Sequence, residues 1–99
     1  MIVRIVKMTF KEENINDFIK LFEESGSKIA GMKGCSHLEL MKDPTNTSIF
    51  FTYSMWDTEE DLNNYRKSET FKNIWGKCKK YFAAKAEAFS METLLKVKC

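Results

Sequence analysis

The spacing of apolar residues in this chain switches between a period of two and a helical period, and the order of those switches constrains the fold more than any single motif. Residues 2 to 10, "IVRIVKMTF", alternate: Ile2, Arg4, Val6, Met8 and Phe10 share one face, and Val3, Ile5, Lys7 and Thr9 share the other. That is a strand whose even-numbered face is buried. Ile15, Phe18, Ile19 and Phe22 then recur at i, i+3, i+4 and i+7, so an amphipathic helix begins near Asn14 and runs to about Ala30, with Gly31 and Gly34 closing it. "CSHLELMK" alternates again, Leu38 and Leu40 opposite His37 and Glu39, and "KDPTNTS" supplies turn residues before "SIFFTYSMW". Two strands joined by so short a loop form an antiparallel hairpin. On the second of them Ile49, Phe51, Tyr53 and Met55 make a bulkier face, and Phe50, Thr52, Ser54 and Trp56 a mixed one.

In "DTEEDLNNY", Asp57 or Thr58 suits a helix N-cap, and Glu59, Glu60 and Asp61 suit the positive end of its dipole. Ser68 offers a second cap, after which Phe71, Ile74, Trp75, Cys78 and Phe82 keep helical spacing through about residue 82. "AEAFSMETLLKV" alternates loosely and reads as a last strand, followed by a short tail. The order β, α, β, β, α in two pieces, β predicts an α+β, ferredoxin-like domain spanning 1–99, with one antiparallel sheet and its helices on a single face. Val3, Ile5 and Phe50 are placed on the helix-free side, where apolar surface needs a cover. A second copy related by twofold symmetry supplies it most simply, so the expectation is a homodimer with sheets face to face.

Bulk composition narrows the function classes. With 99 residues, 43% apolar and 30% charged, the chain is one globular domain with a modest core, and no apolar run approaches the roughly 20 residues of a membrane span. "MIVRIVKMTF" lacks the features of a signal peptide, so a cytoplasmic location is expected. A net charge of +2 and the absence of recognition signatures argue against nucleic acid, and Lys77, Lys79, Lys80 and Lys85 read as a solvated helix face. Cys35, Cys78 and Cys99 are odd in number and widely spaced, which fits reduced thiols and neither a disulfide framework nor a metal site.

Three stretches, "NINDFIKLFEE", "GCSHLEL" and "FFTYSMWDTEEDLNNYRKSETF", together resemble the antibiotic biosynthesis monooxygenase superfamily of dimeric α/β barrels. The resemblance covers nearly the whole chain and implies a pocket between sheet and helices that holds a small aromatic molecule. Its haem-degrading branch keeps an asparagine, a tryptophan and a haem-ligating histidine at positions that fall here on Val6, Tyr65 and Trp75. An indole nitrogen has no free lone pair for iron. The other branch resembles cofactor-free oxygenases of quinols, anthrones and related phenols, in which the deprotonated substrate itself reduces oxygen. Many of those relatives carry a glutamate where this chain has Ser54, and a histidine where it has Tyr65.

The resemblance leads to a cofactor-independent monooxygenase acting on an aromatic phenol with O2. In that reading Trp56, Trp75, Tyr53, Phe71 and Val6 line the substrate pocket, Arg4 anchors an anion or developing oxyanion, Tyr65 orients the phenol or passes a proton, and His37 is a candidate base held by Glu39. Each residue also has a structural alternative. The tryptophans can be core, the tyrosines buried rings with satisfied hydroxyls, and Arg4 the partner of a glutamate, while His37 can face the dimer side because Leu38 and Leu40 claim the helix-covered face. A non-catalytic binder of a small apolar ligand is the second functional reading, and haem binding or degradation the third.

Overall fold

The computed structural model describes residues 1–99. Strand β1 (Ile2–Thr9) leads through a 3-10 turn at Glu12–Asn14 into helix α1 (Ile15–Ala30). Strands β2 (Cys35–Lys42) and β3 (Ile49–Trp56), helices α2 (Glu59–Lys67) and α3 (Glu69–Lys79), and strand β4 (Glu87–Glu92) complete the chain. The sheet runs β2-β3-β1-β4 and every neighbouring pair is antiparallel. This is the ferredoxin-like arrangement that the order of periods predicts. No helix is long and apolar enough to cross a membrane.

Strand register decides which side chains share a face, because directly opposed residues in an antiparallel pair point the same way. Met8 lies opposite Phe50 and Ile2 opposite Trp56, and all four are buried on the helix side. Phe50 therefore belongs to the core and not to the helix-free face. Its ring sits 5.8 Å from that of Phe10 and 5.6 Å from that of Phe18. The bulk of Ile49, Phe51, Tyr53 and Met55 suggests the opposite parity, but pairing with the buried face of β1 outweighs bulk. One core cluster joins Met8, Phe10 and Phe50 to Phe18 and Leu21 of α1 and Cys78 of α3, and a second joins Ile2, Trp56 and Leu62.

On the other side, Val3, Ile5 and Lys7 lie opposite Met55, Tyr53 and Phe51 in β3 and opposite Met91, Phe89 and Glu87 in β4. No helix covers this surface. Phe89 is 51% and Met91 46% exposed.

Helix boundaries follow local chemistry. Thr58 Oγ1 accepts from the Asp61 amide at 3.0 Å to start α2, and Ser68 Oγ accepts from the Phe71 amide at 3.1 Å to start α3. Extended backbone at Ser68 separates the two helices and reorients the chain. Helix α3 ends at Lys79, earlier than its spacing predicts, yet Phe82 still reaches the core through an isolated bridge to Phe10. Gly34, which leads into β2, is the one residue at positive φ (85°), and a Cβ there would overlap the Asp61 side chain.

Candidate functional site

A cavity of about 330 Å³ lies between the helix side of the sheet and the three helices, with 15 hydrophobic residues among its 19 lining residues. Alternation along β1 aims Arg4 and Val6 into it, and alternation along β3 aims Thr52, Ser54 and Trp56. Helical spacing brings Leu62, Tyr65 and Arg66 from α2, and Phe71, Ile74, Trp75 and Cys78 from α3. Such a concave, mostly apolar space with few polar groups is the usual form of a small-molecule site.

One wall is a run of aromatic rings. Trp56 stacks on Tyr65 with centroids 4.9 Å apart, Tyr65 meets the edge of Phe71 at 5.3 Å, and Phe71 stacks nearly parallel to Trp75 at 5.8 Å. Trp56 is only 1% exposed and donates its indole N–H to Ser54 Oγ at 3.0 Å. Packing and pocket lining are thus the same role for this side chain.

Polar chemistry in the cavity is sparse. Arg4 donates through Nη1 to Ser90 Oγ of β4 at 2.8 Å, so its expected glutamate partner is replaced by a neutral hydroxyl. Loss of hydration, and then the nearby Arg66 charge, lower the Arg4 pKa, but a guanidinium remains charged. Burial, with the nearby Cys35 and Cys78 thiols adding to it, pushes the Tyr65 phenol up to about 12. Burial alone pushes the Cys78 thiol to about 11. Both groups are protonated at neutral pH.

Six of the eight residues singled out from sequence, Arg4, Val6, Trp56, Tyr65, Phe71 and Trp75, converge on this cavity. His37 and Tyr53 do not. His37 lies opposite Met55, and Glu39 opposite Tyr53, which puts all of them on the helix-free face. There His37 Nε2 is 2.9 Å from Glu39 Oε1, and its ring stands edge-on to Tyr53 at 5.5 Å. The pleat that turns Leu38 into the cavity turns His37 away from it, so His37 cannot serve as a base for a ligand held inside. Among the titratable residues of the cavity, Arg66 and Cys78 are the two that sequence reasoning did not assign to the site. Cys78 follows Trp75 by three residues, at helical spacing on the apolar stripe of α3, whereas Arg66 follows Tyr65 directly and no spacing marks it.

No three histidine, cysteine, aspartate or glutamate side chains converge as a metal-binding group. The cavity contributes no imidazole, and its one thiol and its one phenol, Tyr65, are both held protonated, so the residues present do not fit haem ligated through the cavity.

An antiparallel β2-β3-β1-β4 sheet with helices on one face defines the class: a ferredoxin-like α+β domain with an aromatic-walled cavity between its two layers. The chain belongs to the antibiotic biosynthesis monooxygenase family, whose profile matches residues 1–76. No curated protein matches the sequence. Among solved structures, a conserved protein from Methanosarcina mazei Go1 superposes with a TM-score of 0.86 at 21% identity, over 92% of this chain and 91% of its own. A protein described as antibiotic biosynthesis monooxygenase gives 0.89 at 18% identity over 96% and 100%. One of the same family description from Deinococcus radiodurans gives 0.91 at 11% identity over 100% and 98%. At these identities the likeness is one of fold.

Proposed function

We propose that the cavity binds a small phenolic aromatic of the quinol or anthrone type and that the protein oxidises it with O2 without a prosthetic group. The observation that carries this reading is the wall of stacked rings from Trp56 to Trp75 in one mostly apolar cavity with a guanidinium, Arg4. Aromatic faces take up a planar ring, and a fixed cation favours the ionised form of a phenol or enol beside it. The proton leaves to solvent, because no carboxylate or imidazole lines the cavity to accept it.

For an anthrone the enolate carbon gives one electron to O2, and the resulting radical pair joins through a C–O bond to a peroxide anion, which takes a proton back from solvent to become the hydroperoxide. Loss of water then leaves a carbonyl where a CH2 stood, with one oxygen atom in the product and one in water. Tyr65, neutral throughout, donates a hydrogen bond and is a catalytic residue in this scheme. The apolar walls exclude bulk water from the intermediate. Oxygen uptake with a panel of anthrones and hydroquinones tests the reading. Uptake above the uncatalysed rate, diminished in Tyr65→Phe and Arg4→Gln, is expected, and uptake equal to background refutes it.

The absence of a base from the cavity favours one alternative, a binder that performs no chemistry. Thermal stabilisation by the same compounds, with each recovered unaltered, would establish that alternative in place of the first. In either case the working unit is proposed to be a homodimer joined through the helix-free sheet face, where Val3, Ile5, Phe89 and Met91 need cover.

A further inference from the structure

We infer that Arg4 and Arg66 together form an anion site on the cavity, so that its ligand is an aromatic acid carrying an ionised carboxylate beside the ring. The inference rests on the reading that the cavity holds a small aromatic and names a chemical class for it. Two arginines, and no aspartate or glutamate, line this space. The salt bridges of the chain, Lys7–Glu87, His37–Glu39 and Lys72–Glu69, involve neither arginine. With 14 acidic residues in the sequence, internal counter-ions are available in number, yet none is placed here.

Arg4 spends one N–H on Ser90 Oγ, a neutral acceptor, and a guanidinium has five. Ser90 thus fixes the plane of the group and leaves its remaining donors for something else. Arg66 comes from the opposite layer, directly after the Tyr65 that stacks on Trp56. The two cations line one cavity with no acid between them, and the Arg66 charge adds to the loss of hydration in lowering the Arg4 pKa. Like charges held together over an apolar space are stabilised by an anion between them, and carboxylate oxygens match guanidinium N–H groups in pairs. The aromatic wall contributed by α2 and α3 lies beside them and takes the ring. Arg66 is exposed and Arg4 only partly so, which leaves the ligand's charged end within reach of solvent.

Calorimetric titration with 2-naphthoate and with its uncharged isostere 2-naphthamide, at pH 7 and low salt, tests the site. Naphthoate is expected to bind the wild type about tenfold or more tighter than the amide, as charge-assisted pairs with arginine require. That preference should fall to near unity in Arg66→Gln, a surface substitution that leaves the core intact, and in Arg4→Gln. Equal affinity of the two compounds in the wild type, or a preference that survives both substitutions, overturns the anion site while leaving the aromatic cavity standing. Failure of both compounds to bind overturns the site and the cavity reading together. Oxygen uptake is not measured here, so loss of the catalytic proposal and loss of the anion site are separate outcomes.

Discussion

Ser54 shows how one small side chain holds the cavity wall. It accepts from the single N–H of the Trp56 indole, deep in the core, and Ser54→Ala would leave that donor buried without a partner. A loss of roughly 1–3 kcal/mol in urea unfolding is expected, with the Trp56 fluorescence maximum shifted. Tyr65 and Cys78 give a pH prediction. Their folded pKa values, about 12 and about 11, exceed the ordinary values of 10.0 and 9.0, so at alkaline pH the folded state holds protons that the unfolded chain has released. Stability is therefore full below about pH 9 and falls as pH rises towards 12. Tyr65→Phe should flatten the upper part of that fall, and Cys78→Ala the lower part, by roughly 1–2 kcal/mol each in melts across the range. Six of the cavity residues were legible: periodicity places Arg4 and Val6 on the covered face of β1 and Phe71 and Trp75 on the apolar stripe of α3, while Trp56 and Tyr65 came with the family resemblance. His37 and Tyr53 attract attention by their chemistry, but strand parity sends them to the other face. Arg66 carries no such signal, since a charge on a short, acid-rich helix looks solvated until the sheet opposite it is in place.

Among the elements, the strand starts and the hairpin were readable to within a residue or so, whereas the ends of α3 and β4 were not. Helical spacing continues to Phe82 although the helix does not, because that ring is claimed by Phe10 of the neighbouring layer. The alternation of "TLLKV" continues past β4, but Ile2 pairs with Glu92 and β1 then has no residues left to offer a partner. Leu94 is accordingly 99% exposed. The glycines divide in an instructive way. Gly34→Ala forces a side chain into positive φ and against Asp61 at the start of α2, and should cost about 1–3 kcal/mol. Gly76 lies inside α3 with open space where a Cβ would stand, so Gly76→Ala should stabilise by about 0.5–1 kcal/mol. Chemical denaturation of the two variants side by side checks both signs.

At the scale of the whole molecule, the sheet has one face under helices and one bare. Residues such as Val3, Ile5, Tyr53, Phe89 and Met91 form an apolar surface that a second copy would match by symmetry. Sedimentation at micromolar concentration is expected to give a dimer, and Phe89→Glu with Ile5→Lys to give a monomer of lower melting temperature. A wild type that sediments as a monomer would refute the sheet-to-sheet pairing. Strand β4 matters for another reason. It hydrogen-bonds only to β1, all six of its residues are exposed in the single chain, and the Arg4–Ser90 contact closes a sequence separation of 86 residues. Contacts that span so much chain form late in folding, and a lightly buried edge strand is among the first to open. The site is therefore built in two instalments. The ring wall is set by neighbours close in the chain, while the orientation of Arg4 waits for the final strand and is given up whenever that strand lifts. Amide exchange of β4 should then be faster than that of β1 and β3, and should slow when an aromatic acid is bound, making the ligand itself the latch on the last piece of the sheet to close.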